Sequence, residues 1–223
     1  MFIKWLNWVL DFFLPKRPIV KELEIMGSNG FSGRAKRSRE LNGQQGLIAL
    51  FDYRDLLVRT AIWELKYRGN RVIAALLAEV LFDELTAELG ERKIFENFER
   101  PLLTPIPLSK KRHRERGFNQ CEMLLEELAK LDTEKSTSSA GEIFEIRKNI
   151  LIKIKDTPSQ TSADSRVGRL KNLRGAFAVN ESPLGRNIIV IDDVITTGAT
   201  LSEARKVLRR AGAKKVLGIA LAH

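Results

Sequence analysis

Residues 188–201, Ile-Ile-Val-Ile-Asp-Asp-Val-Ile-Thr-Thr-Gly-Ala-Thr-Leu, read as a strand, an acidic turn, a glycine–threonine loop and the start of a helix. Ile188 to Ile191 are apolar and β-branched without interruption, the pattern of a strand buried on both faces of a parallel sheet. Asp192 and Asp193 follow at its carboxyl end, where open α/β sheets bind ligands. Thr196, Thr197, Gly198, Ala199 and Thr200 are small or carry hydroxyls. Such a loop can aim several N–H groups and hydroxyls at one anion, and a helix from about Leu201 adds the positive end of its dipole. A phosphate suits that end. The carboxylates would repel it; they suit a neighbour that donates hydrogen bonds, such as the 2′ and 3′ hydroxyls of a ribose, or a bound Mg²⁺. A ribose carrying a 5′-phosphate satisfies both ends at once. The competing reading is an ordinary strand–helix turn with an acidic start, and the run Thr-Thr-Gly-Ala-Thr separates the two.

Upstream, a second loop has the same placement. Leu102 to Ile106 reads as a strand, followed by Pro107, Leu108, Ser109 and then Lys110, Lys111, Arg112, His113, Arg114, Glu115 and Arg116. A basic loop at a strand end could hold pyrophosphate through Lys110, Arg112, Arg116 and the backbone near Pro107 and Leu108. A solvated basic turn is the alternative. A helix then runs to about Lys130, with Cys121 packed on it. Leu65-Lys66-Tyr67-Arg68-Gly69 puts two cations at a helix end, read either as dipole-complementing or as a contact to an anionic ligand or a second subunit.

The remaining pattern alternates strands and helices, which predicts a parallel, doubly wound sheet. Strands are expected at Leu47–Phe51, Asn149–Lys153, Ala176–Val179 and Lys215–Leu221, and helices from Tyr53 to about Gly69, over Arg71–Glu88 and over Leu201–Ala211, the last stopped by Gly212. Residues 132–142 read as a polar loop. Residues 156–161 read as a turn, and Ser165–Leu173 as a short basic helix, so this polar stretch could form a mobile lid. Residues 1–46 form an appendage to the domain at 47–223. Residues 1–14 make an apolar helix with one narrow polar stripe, too short to span a bilayer, which takes ~20 residues, and without a cleavage site; it reads as a helix docked on the domain or on a second subunit, with a membrane-surface helix as the alternative. Residues 15–46 read as a linker or mobile arm with a basic run at Arg34, Lys36, Arg37 and Arg39; a nucleic-acid-binding arm is the alternative.

The net charge of +10 among 223 residues favours polyanionic partners or simply a lysine-rich surface. The single cysteine, Cys121, forms no disulfide within the chain and, with only His113 and His223, leaves no tetrahedral Cys/His zinc site. A cytoplasmic setting is expected.

Four blocks then occur in order: Leu-Lys-Tyr-Arg-Gly (65–69); Pro-Ile-Pro-Leu followed by Arg-Glu-Arg-Gly-Phe-Asn-Gln (105–120); Thr-Pro-Ser-Gln with Arg169, Asn172 and Gly-Ala-Phe (157–177); and the 188–201 signature. The set resembles the ComF family of competence-associated, phosphoribosyltransferase-like proteins over roughly residues 47–223. The last block is shared by type I phosphoribosyltransferases in general. Family members commonly carry a cysteine-rich zinc segment; residues 15–46 hold no cysteine, so no such segment forms there. Ala163 stands where a leucine is more usual.

The resemblance implies a type I phosphoribosyltransferase fold that binds phosphoribosyl pyrophosphate (PRPP) with Mg²⁺ and no zinc. Asp192 and Asp193 would be the catalytic pair holding the ribose hydroxyls, with Mg²⁺ carried on PRPP and reached by one of them. Thr196, Thr197, Gly198, Ala199 and Thr200 would hold the 5′-phosphate. Pro107, Leu108, Lys110, Arg112 and Arg116 would face the pyrophosphate, and Lys66, Arg68, Gln160 and Arg169 are further candidates. The implied reaction displaces pyrophosphate by a nitrogen nucleophile. The alternative is a non-catalytic protein of DNA uptake that senses PRPP or a nucleotide and binds single-stranded DNA or a competence protein. No aromatic stacking platform is visible in the sequence, and a homodimer is suggested by the apolar first helix.

Overall fold

Strand β6 (Asn187–Val194) is the centre of a parallel sheet, and its neighbours explain its composition. The computed structural model describes residues 18–38, 46–135, 142–155 and 173–223. In it β1 (Leu47–Phe51), β7 (Lys215–Ala222), β6, β2 (Leu102–Pro105) and β3 (Glu145–Ile146) lie side by side in that order, every pair parallel. Ile188 to Ile191 are fully buried because both faces of the sheet are covered. Ile189 and Ile191 join Leu217 and Ile219 in one core; Ile188 and Val190 join Val216 and Ala220 in the other. Side chains alternate along a strand, so Asp193 continues the first face and Asp192 the second.

The first face is covered by α3 (Leu56–Trp63), the π-helical turn Glu64–Arg68, α4 (Arg71–Glu96) and α6 (Gln120–Lys135). Asn70 caps α4 by accepting from the N–H groups of Val72 and Ile73. This helix runs past its expected end at Glu88 and closes at Asn97 in the left-handed region, φ 53°. Gly90 weakens a helix without ending it, and no proline intervenes. The second face is covered by α7 (Ala199–Arg210).

Four expectations change. Residues 18–38 are not a linker: α1 (Pro18–Ile25) and α2 (Ser28–Arg34) bury Leu23 and Phe31 completely, and Phe31 meets Phe51 edge to face at 5.3 Å. Their glycines and short apolar spacing hid two brief helices whose stability comes from packing. The basic run is also engaged: Arg34 pairs with Glu22, Lys36 with Asp52 and Arg37 with Glu84. Residues 110–116 form a short helix, α5 (Lys110–Arg116), rather than a loop, capped by Ser109, whose Oγ accepts from the Arg112 N–H. Finally, β4 (Leu151–Lys153) and β5 (Phe177–Val179) pair antiparallel with each other, apart from the main sheet. The polar stretch at 132–142 begins as the last turn of α6. The expected apolar helix at 1–14, Arg39, and the lid with Gln160 and Arg169 lie outside the described residues. Among the described residues no helix is long and apolar enough to cross a membrane.

Candidate functional site

Both acidic residues sit inside the end of β6 rather than beyond it, Asp192 opposite Ala220 of β7. Because they face opposite ways, their surroundings differ. Asp193 is 4 % exposed and both its carboxylate oxygens are engaged. Lys66 Nζ lies 2.9 Å from Oδ1, and the Gln120 side-chain amide donates to Oδ2 at 2.5 Å. Asp192 is half-buried, and its Oδ1 accepts the Asp193 backbone N–H at 2.9 Å. Burial, and then the charge of Asp193, pushes the Asp192 carboxyl up to about 7. Burial works against the Lys66 ammonium, but the Asp193 carboxylate more than offsets it and the net shift is upward.

Lys66 reaches this point because the helix widens. In the turn Glu64–Arg68 the wider π geometry shifts side-chain register, a device frequent at functional sites. Glu64 and Leu65 are buried, and Lys66 beside them is 18 % exposed in its side chain. Gly69 ends the turn at φ 57°, as a left-handed cap requires. A side chain there would also meet the Phe118 ring at 3.0 Å, so the turn is seated against the α5–α6 junction.

That junction explains the block Arg116-Gly117-Phe118-Asn119-Gln120. Gly117, at φ 78°, ends α5. Asn119 donates to the Ile106 carbonyl at 3.0 Å and accepts the Cys121 N–H at 3.0 Å, tying the end of β2 to the start of α6. Gln120 accepts from Arg116 Nη1 at 3.0 Å while it donates to Asp193. Arg116 lies 5.2 Å over the Tyr67 ring.

Of the expected site residues, Lys66, Arg116, Asp192 and Asp193 are thus brought into one connected cluster. The loop from Thr196 to Thr200 continues directly from it: Gly198, at φ 73°, opens α7, so the first free N–H groups of that helix follow the strand end. Pro107 and Leu108 lead from β2 into α5. Lys110 and Arg112 stand on α5, which has no buried residue. Arg68 is turned elsewhere, 3.5 Å from Glu64 and 5.6 Å over the Trp63 ring. Gln120 was not anticipated.

The Cys121 sulfur and one oxygen from each carboxylate lie within 4.8 Å of one another. Burial, then the neighbouring carboxylates, pushes the Cys121 thiol well up, so sulfur keeps its proton. With Asp193 engaged twice, Asp192 is the oxygen donor best placed for a hard cation. Mg²⁺ borne on substrate phosphates and retaining its waters needs no larger protein set.

Residues 135–223 match the phosphoribosyl transferase domain family. That span takes in both carboxylates and the threonine loop, but not Lys66 or α5. The DNA utilization protein YhgH of Escherichia coli K12 is 30 % identical over 172 residues, covering 77 % of this chain and 69 % of that protein. Competence protein ComFC of Bacillus subtilis is 31 % identical over 165 residues, covering 74 % of this chain and 58 % of that protein. Among solved structures, the hypoxanthine-guanine phosphoribosyl transferase of L. donovani overlaps 66 % of this chain and 71 % of its own, at 11 % identity and a TM-score of 0.37.

Proposed function

This chain belongs to the ComF family, and from that premise we propose that it binds PRPP with Mg²⁺ at the carboxyl end of β6 and transfers the phosphoribosyl group to a nitrogenous acceptor. One observation carries the reading. A carboxylate pair and a helix-opening threonine–glycine loop share one strand end, in the order that a diol and a 5′-phosphate require.

In this reading the acidic pair accepts hydrogen bonds from the ribose hydroxyls. The hydroxyls and N–H groups from Thr196 to Thr200 receive the 5′-phosphate. The bond from the anomeric carbon to pyrophosphate breaks and pyrophosphate leaves with its electron pair, while the incoming nitrogen donates its lone pair to the same carbon and releases its proton to water. Negative charge grows on the leaving group, and the cations of α5, Arg116 foremost, stabilise it. Mg²⁺, when bound, supplies further neutralisation of those phosphates. The test is pyrophosphate release from PRPP across a panel of nitrogenous bases. Turnover with one acceptor that is lost in Asp192→Asn supports transfer; none with any acceptor, at high protein concentration, removes catalysis from the proposal.

A second reading is favoured by a specific surface. Trp63 and Tyr67 are 46 % and 54 % exposed with ring centroids 5.6 Å apart, and Arg68 and Arg116 lie over them. Exposed aromatics interleaved with guanidinium groups suit unpaired bases and their phosphates. The names of the relatives, DNA utilization and competence proteins, support a role in handling DNA, and the exposed rings favour its unpaired form. If so, binding of a labelled oligonucleotide weakens steeply with salt, and Trp63→Ala reduces it on the order of tenfold. Affinity indifferent to both salt and Trp63 would remove this reading.

A further inference from the structure

Asp193 is the most tightly held carboxylate in the site, and its holders come from two distant segments. Lys66, from the π-helical turn, takes Oδ1 at 2.9 Å; Gln120, from the first turn of α6, takes Oδ2 at 2.5 Å. Gln120 is itself 4 % exposed, and its amide has no rotational freedom to spare. Its oxygen must face Arg116, which only donates, and its nitrogen must face Asp193, which as a carboxylate only accepts. The amide therefore joins a cation of the basic helix to a carboxylate of the central strand. A π-helical turn is rare and costs regular helical bonding, yet here it delivers an ammonium to a buried partner.

We propose that Lys66 and Gln120 are positioning residues for the sugar half of the site, holding Asp193 by both oxygens and linking it, through Gln120, to Arg116. The inference rests on the sugar-phosphate reading above and deepens it. Neither residue needs to touch the ligand. Their work is to compensate a buried carboxylate and fix its direction; without them it would lose its partners and turn. Lys66 supplies the charge and Gln120 the direction. Arg116, shared between Gln120 and the basic helix, connects the sugar half to the pyrophosphate half.

A role of this kind is selective among probes, whereas simple loss of folding is not. The full chain with Mg²⁺ is titrated with three probes: ribose 5-phosphate, 2-deoxyribose 5-phosphate and inorganic pyrophosphate. Gln120→Leu and Lys66→Met are each expected to weaken ribose 5-phosphate on the order of tenfold, the scale of one hydrogen bond to a charged group. Lys66→Met, which removes no contact to Arg116, is expected to change inorganic pyrophosphate by less than about threefold, which also serves as the control for folding; Gln120→Leu also releases Arg116 and is expected to weaken pyrophosphate as well. With 2-deoxyribose 5-phosphate the penalty of both substitutions should shrink, since one hydroxyl that needs the carboxylate is gone. Equal losses for all three probes in Lys66→Met would overturn the positioning role while leaving the sugar reading intact. Unchanged ribose 5-phosphate affinity in both variants would overturn it as well. Failure of the unaltered protein to bind ribose 5-phosphate would remove the sugar reading and the inference with it.

Discussion

Asp192 and Asp193 are adjacent and chemically identical, yet strand alternation gives them opposite surroundings. Asp193 is compensated by Lys66 and Gln120. Asp192 is raised by burial and by its neighbour's charge, to about 7. A carboxyl raised on folding contributes stability that is full below its unfolded value, near ~4, and is lost as pH rises through the folded value. Stability of the unliganded protein should therefore fall from about pH 4 to about pH 7 by an amount that Asp192→Asn removes. Thermal melts of the two proteins across this range check it: the variant should gain on the parent as pH rises, and parallel curves would contradict the assignment. The place of both carboxylates at a strand end was legible in the sequence because a strand signature brackets them. Gln120 was not, because it meets Asp193 from 73 residues away and nothing local marks an amide as the partner of a distant acid.

The elements that were legible are those with strong local pattern: the apolar run of β6, the periodic face of α4, and the glycine-opened start of α7. Those misread owe their form to packing. α1 and α2 are too short to persist alone, yet Phe31 is wholly buried against Phe51. Phe31→Ala should cost about 3–5 kcal/mol, read from urea denaturation; a loss below ~1 kcal/mol would mean that these helices ride on the domain without supporting it. The π-helical turn was invisible for a related reason, since its residues are ordinary helix formers and only the seat against Phe118 and Asp193 selects the wider form. α7 approaches the sheet at Gly218, where a side-chain carbon would lie 2.7 Å from Leu47 and 3.2 Å from Leu201 of the first helical turn. Gly218→Ala should cost about 1–3 kcal/mol by overpacking and displace the loop that opens the helix. A melting temperature equal to that of the parent would show that the approach is not tight.

For the whole molecule the arrangement is a division by strand ends. The sheet's parallel register brings β2 and β6 to the same edge, Leu102 opposite Ile188 through Pro105 opposite Ile191, so the basic helix after one and the acidic pair of the other converge. That convergence was foreseeable from two strand-end loops in an α/β pattern. The surface charge was harder to read, because much of the N-terminal basic run is neutralised by Glu22, Asp52 and Glu84, while Arg68 and Arg116 are arrayed over exposed rings. On the proposed reading, this edge grips a phosphorylated sugar through Asp192. Isothermal titration of PRPP with Mg²⁺ into the full chain, alongside Asp192→Asn, tests it most directly. The expected result is one site per chain, weakened on the order of tenfold to a hundredfold by the substitution; absence of binding in the unaltered protein, or equal affinity in both, would contradict it.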